Sequence, residues 1–198
     1  LNKLSDTPTQ KQMVWLNKAA AILDNAPENS YDREVAVWVY INRATVEYGL
    51  GMREEAYIDL AKAREMDDTN LYVYTTKMDF LGTENDWDVF QEELNAVMNN
   101  PKLTEADKEY VITSYGEALI AHMYNVLGQD AESAMEAFED QKWFTSYVEY
   151  AKAHKETVII DNEKYDAYTN FCLLPDGTWF VVVVGDRTWD IKATVEVK

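Results

Sequence analysis

Residues 31–68, YDREVAVWVYINRATVEYGLGMREEAYIDLAKAREMDD, decide the fold. In the first half Val35, Val39, Asn42 and Val46 recur at helical spacing, with Trp38 and Ile41 widening that face. This predicts a helix from about Tyr31 to Tyr48, broken by Gly49-Leu50-Gly51. From Arg53 to Met66 a second helix carries Ala56, Leu60 and Ala63 on one face. Helices packed about 8 to 10 Å apart leave room only for small side chains where they cross, which is a reason for Ala44, Ala56 and Ala63. The stretch reads as a helical hairpin.

Working outward, a shift of 34 residues sets Trp38 on Tyr72, Val39 on Val73 and Tyr40 on Tyr74. It also sets Arg43 on Lys77, Asp59 on Glu93, Leu60 on Leu94, Ala56 on Phe90 and Ala63 on Val97. A period of this length is the mark of stacked helix pairs. Gly51 at the turn, Ala44 and Ala56 at the crossing, then Leu60 and Ala63, resemble a tetratricopeptide repeat. Asp68 stands where that family has proline. The second unit uses Phe90 at the small position and places Pro101 one residue from the expected proline. A third, from Thr104, keeps only Leu127-Gly128, Ala134 and Phe138. The resemblance covers residues 35 to 140. It implies a concave surface lined by the first helix of each pair that holds a peptide or protein segment, and it implies no chemistry.

Before the hairpin, Thr7-Pro8 starts a helix with Met13, Leu16, Ala19, Ala20 and Leu23 on one face, stopped at Asn25-Ala26-Pro27. It would cap the stack. After it, Leu71–Phe80 and Trp87–Met98 read as helices, with Gly82 and Asn85 marking the turn. Thr104 to Asp107 reads as a cap for a long helix to Leu127, ended by Gly128, and Ala131–Glu139 begins another that runs toward His154. The pattern changes near Thr157. Thr157–Ile160, Ala167–Leu173, Thr178–Val184 and Ile191–Val197 are β-branched and aromatic, with Pro175-Asp176-Gly177 and Gly185-Asp186-Arg187 as hairpin turns. Alternation of Ile191, Ala193, Val195 and Val197 with polar residues predicts a last strand with one wet face. The expected fold class is therefore mainly α (α+β overall). A tetratricopeptide-like superhelix of antiparallel helix pairs occupies 1–155. A small three- to four-stranded antiparallel β-meander at 156–198 follows, packed on the last helix around Trp143, Phe144 and Tyr147.

Asp and Glu outnumber Lys and Arg by 36 to 18, giving a net charge of -18. A field of that sign repels nucleic acid and anionic lipid and attracts basic proteins. Cys172 is the single cysteine, so no internal disulfide forms, and its buried strand context suits an inert thiol. No apolar run approaches the ~20 residues of a membrane span. The sequence begins at Leu1, so the compartment stays open between the cytoplasm and export with a leader removed.

Polar residues on the first helices of the pairs have no evident packing reason to be there. Asn42, Arg43, Glu47, Tyr74, Thr76 and Lys77 are therefore the candidate partner-binding residues. Asp86 and Asp88, within an acidic run around Trp87, are candidates for a basic partner, although acids also suit the start of a helix. His122 and His154 lack a second histidine or a Glu-x-x-His partner. The Asp86-Trp87-Asp88 and Asp161-Asn162-Glu163 stretches do not continue as calcium loops. Gly49-Leu50-Gly51 follows no strand, so it is not a phosphate loop. No catalytic set, metal site or cofactor is expected. The expected function is a non-enzymatic scaffold or adaptor for a protein or peptide. The alternative is an acidic inhibitor or immunity-type protein that blocks a basic partner. The oligomeric state is not legible.

Overall fold

The computed structural model describes residues 8–119, 122 and 140–154, together with the backbone of five strands between 156 and 196. The chain forms two compact units, Leu1–Phe90 and Gln91–Lys198, so the helices after α5 go with the sheet.

The first unit contains α1 (Pro8–Asn25), a short 3-10 turn (Glu28–Ser30), α2 (Arg33–Gly49), α3 (Arg53–Met66), α4 (Leu71–Glu84) and the start of α5 (Trp87–Asn99). Asp32 caps α2, its side chain accepting from Val35 N at 3.2 Å. Leu50 N–H closes the helix onto the Val46 and Glu47 carbonyls, and Gly51 takes a φ of 83° that a side chain would resist. Asn70 caps α4, and Asn85 ends it in the left-handed region at φ 59°. Of the two residues expected to mark the turn, Asn85 supplies the left-handed cap, and Gly82 lies within the last turn of α4.

Side-chain pairs fix the helix directions. Arg43 meets Asp59 and Tyr40 meets Lys62, so α3 runs antiparallel to α2. Trp38 meets Tyr72 and Tyr48 stacks on Phe80, so α4 runs parallel to α2, displaced by close to 34 residues. Arg64 lies over Tyr74 and Tyr57 stands edge-on to Phe80, so α3 and α4 are antiparallel. Ala36, Ala44, Ala56 and Ala63 are fully buried, as close approach of helices requires. Around them lie Val37, Tyr40, Ile41, Leu60, Val73, Tyr74, Met78, Phe80 and Leu81.

In the second unit α6 (Glu105–Val111) opens with a capping box. Thr104 Oγ1 accepts from Asp107 N at 3.1 Å, and Asp107 Oδ2 accepts from Thr104 N at 3.1 Å. The long helix expected beyond it is interrupted by a π-helical turn, Ile112–Gly116. A Cβ on Gly116 would lie 3.3 Å from two ring atoms of Trp143, which is fully buried in α7 (Lys142–Ala153). The turn and its glycine thus accommodate a bulky side chain from a distant element. Trp143 Nε1 donates to Gln91 Oε1 at 3.3 Å, Asn95 Nδ2 donates to Gln141 Oε1 at 2.7 Å, and Tyr147 OH donates to Glu117 Oε1 at 3.0 Å.

The expected fold class is corrected. Where side chains are described the chain is wholly helical, with seven α-helices and no strand. The C-terminal strands are described as backbone, and they number five rather than three or four: β1 (Glu156–Ile160), β2 (Glu163–Tyr168), β3 (Phe171–Leu173), β4 (Thr178–Gly185) and β5 (Thr188–Glu196). They form one antiparallel sheet in sequence order. The strand expected over 167–173 is two strands, since Tyr168 pairs with Phe171 across only two residues. Thr169-Asn170 carries neither the glycine nor the proline that flagged the other turns. In β5 the alternation expected from Ile191 does not run through. Ala193 lies opposite Val181 but Ile191 opposite Val182, leaving Lys192 as the extra residue of a bulge. The expected features at Leu127-Gly128, Ala131–Glu139, Pro175-Asp176-Gly177 and Asp186-Arg187 lie outside the described residues.

Candidate protein-binding face

Parallel α2 and α4 set two stripes of side chains next to each other. On α2 these are Val35, Trp38, Asn42 and Thr45; on α4, Tyr72, Thr76, Asp79 and Thr83. Val35 and Tyr72 are 58% and 59% exposed. Trp38 is half-buried against Tyr72, ring centres 4.9 Å apart and tilted by 54°. The exposed Asn42 donates from Nδ2 to the Trp38 carbonyl at 2.7 Å, and Thr45 and Thr83 donate back into their own helices. The face is therefore an aromatic pair beside an apolar side chain and a row of short polar groups.

The sequence had put Val35 on the core stripe of α2. The buried residues of α2 are Ala36, Val37, Tyr40, Ile41, Ala44, Val46 and Glu47, so Ile41 and Val46 lie in the core as expected while Val35 and Asn42 are exposed. Alanines at the closest approach weigh little in a hydrophobic period, which displaced the reading.

The eight sequence candidates do not form one site. Arg43 and Glu47 belong to the α2–α3 contact, so the packing reason that seemed missing is Asp59. Arg43 donates from Nε and Nη2 to the two Asp59 oxygens at 2.5 and 2.6 Å. Glu47 Oε1 stands 3.6 Å from Arg43 Nε, and its Oε2 is buried without a hydrogen-bond partner. Burial, then the Asp59 charge, pushes the Glu47 carboxyl up to about 7 against the pull of Arg43, with Glu55 adding to the rise. On the α1 side Asp24 Oδ1 accepts from Tyr40 OH at 2.7 Å and from Lys62 Nζ at 3.0 Å. The Tyr40 bond, then Lys62, holds the Asp24 carboxyl below its ordinary value despite some desolvation. Burial, then Asp24, raises the Tyr40 phenol.

Tyr74 is buried, donates to the Asp68 carbonyl at 2.9 Å and lies under Arg64. Asp86 caps α5, accepting from Val89 N at 3.4 Å, and Asp88 lies in the first turn. Thr76 and Lys77 are half-buried on α4, and the exposed Asn42 lies one turn beyond Trp38, to whose carbonyl it donates. Tyr72 was missed, although the 34-residue shift had already laid it on Trp38.

Among the described residues no group of three or more His, Cys, Asp or Glu is arranged to hold a metal ion. No helix among them is long and apolar enough to cross a membrane. Comparison of the chain with protein-family models, curated proteins and solved structures finds no match.

Proposed function

We propose that this chain is a non-enzymatic scaffold that seats a peptide or protein segment on the outward face of α2 and α4, in a tetratricopeptide-like arrangement. The observation that carries the reading is the Trp38–Tyr72 pair, held on two parallel helices with Tyr72 largely open to solvent. Tryptophan and tyrosine give large contact area for little lost side-chain freedom, which is why they dominate binding energy at interfaces. Asn42 and Thr76 beside them offer short polar groups for a backbone. The net charge of -18 favours a partner segment of basic character. The inhibitor reading through Asp86 and Asp88 has less support, because both acids already serve the start of α5.

The test is selection of peptides from a random display library on the wild-type chain, followed by affinity measurement on variants. Tyr72→Ala should weaken the selected peptides by roughly 10- to 100-fold with helical content unchanged, as expected for an aromatic hot spot. Lys and Arg should be enriched among them, and binding should weaken with salt. Peptides that bind Tyr72→Ala and Trp38→Ala as tightly as wild type would refute the assignment of this face.

A further inference from the structure

The carboxyl of Glu84, at the end of α4, is hydrogen-bonded through one oxygen only. Its Oε2 accepts from Tyr57 OH at 3.0 Å, while Oε1 is closed off from solvent with no hydrogen bond. Rings from α2, α3 and α4 gather beside it. Tyr48 stacks on Phe80 with ring centres 3.9 Å apart, and Tyr57 stands edge-on to Phe80 at 6.0 Å. Burial, then the nearby Glu84 charge, raises the Tyr48 phenol. A cation already rests at this corner. Arg53 Nε lies 3.5 Å from Glu84 Oε1, and Arg53 Cζ lies 5.8 Å from the centre of the Tyr48 ring. Both contacts are long, and the Arg53 side chain stays 62% exposed.

A carboxylate oxygen shut away from water without a donor is costly to leave so. A guanidinium that reaches it can bond it directly and lie against the Tyr48 ring. Arg53, fixed at the first position of α3, comes within range of both groups but donates no hydrogen bond to the oxygen. We propose that Glu84 and Tyr48 form a binding site for an arginine side chain of a basic partner segment, held closed by Arg53 until that side chain displaces it. The net charge of -18 draws such a cation in. An ammonium fits less well, because it is compact, strongly hydrated and unable to lie flat on a ring. The basic partner is that of the reading above, on which this inference rests in that respect. The residues are separate from Trp38 and Tyr72, so either site can fail without the other.

The experiment is a chemical-shift titration of the full isotope-labelled chain with N-acetyl-L-arginine amide, and in parallel with the lysine amide. Shifts should centre on Tyr48, Arg53, Tyr57 and Glu84, and the lysine compound should bind several-fold more weakly. Arg53→Ala should tighten the arginine compound by roughly 5-fold, the most that an exposed ion pair of this kind is worth. Arg33→Ala removes the same charge at the other end of α2 and should change nothing. Glu84→Gln keeps an oxygen for Tyr57 to bond and should weaken binding by roughly 10-fold. Tyr72→Ala should leave the affinity as it is, which separates this site from the α2–α4 face. Arg53 is exposed at a helix end, so its variant should keep the helical content of wild type. An Arg53→Ala chain that binds no tighter than wild type, or not at all, would overturn the proposal. So would equal tightening by Arg33→Ala, full binding by Glu84→Gln, equal binding of the lysine compound, or shifts centred elsewhere.

Discussion

The two units fasten their helices by different chemistry. Between α2 and α3 the fastening is ionic. Arg43 bonds both oxygens of Asp59, and Glu47 is drawn into the same interior. Between α5 and α7 it is mostly neutral, with the Gln91, Asn95 and Gln141 amides around the buried Trp143. A neutral amide desolvates cheaply once bonded, whereas a buried ion pair recovers its desolvation only while both charges are present. Packing should therefore dominate the α5–α7 contact at any pH, and the α2–α3 contact should depend on protonation. Each variant below is best read by segment-resolved hydrogen exchange, which assigns a loss of stability to its own unit.

The largest effect should come from Trp143→Ala. The ring is fully buried and fills the space over Gly116, so truncation leaves a cavity and orphans Gln91. The expected cost is about 3–5 kcal/mol, the usual range for a buried aromatic cut to alanine. It should be the same at pH 5 and pH 8. Protection should fall in α5, α6 and α7; a loss that varied strongly with pH would break the contrast between the units.

Arg43→Ala comes next, at roughly 2–3 kcal/mol, since it strands Asp59 in a buried place while Arg43 itself keeps some solvent contact. Protection should fall across α2 and α3. The pair Arg43→Met with Asp59→Leu should recover most of the loss, because removing both charges also removes their desolvation. If Arg43→Ala instead left the stability intact, the side chain would return to the list of binding candidates where sequence reasoning had placed it.

How much of this was legible follows from where each determinant lies. The α2–α3 hairpin could be read from local signals: Gly51 for the turn and alanines for the crossing. The 34-residue shift could be read too, and it holds Trp38 against Tyr72. The role of Arg43 could not be read, because its partner Asp59 is reached only after the hairpin closes, and a polar residue on a helix looks alike whether it faces solvent or a buried acid. The π turn at Ile112–Gly116 was hidden for the same reason, since Trp143 lies more than twenty residues further on. In the sheet, Lys192 breaks an alternation that looks continuous in sequence, because a bulge is visible only in the pairing with Val181 and Val182. The aromatic face was half legible: the alignment contained Tyr72, but nothing in one sequence separates an exposed tyrosine from a buried one.

Glu47→Gln should have the smallest effect and the most informative one. The carboxyl stands near 4.5 when exposed and is pushed up to about 7 in the fold. The folded chain therefore holds a proton on Glu47 that the unfolded chain has released between those values. Stability from this group is complete below pH 4.5, falls as pH rises toward 7, and stays low above it. The loss amounts to roughly 1–2 kcal/mol after allowing for screening and relaxation around the site. Glutamine keeps the shape of the protonated acid and never ionises, so the variant should match wild type at pH 5 and exceed it at pH 8. Urea midpoints of wild type and variant at those two pH values measure this directly. Wild type and variant with parallel pH profiles would mean that Glu47 ionises freely, and that the α2–α3 contact is no more sensitive to pH than the neutral one between α5 and α7.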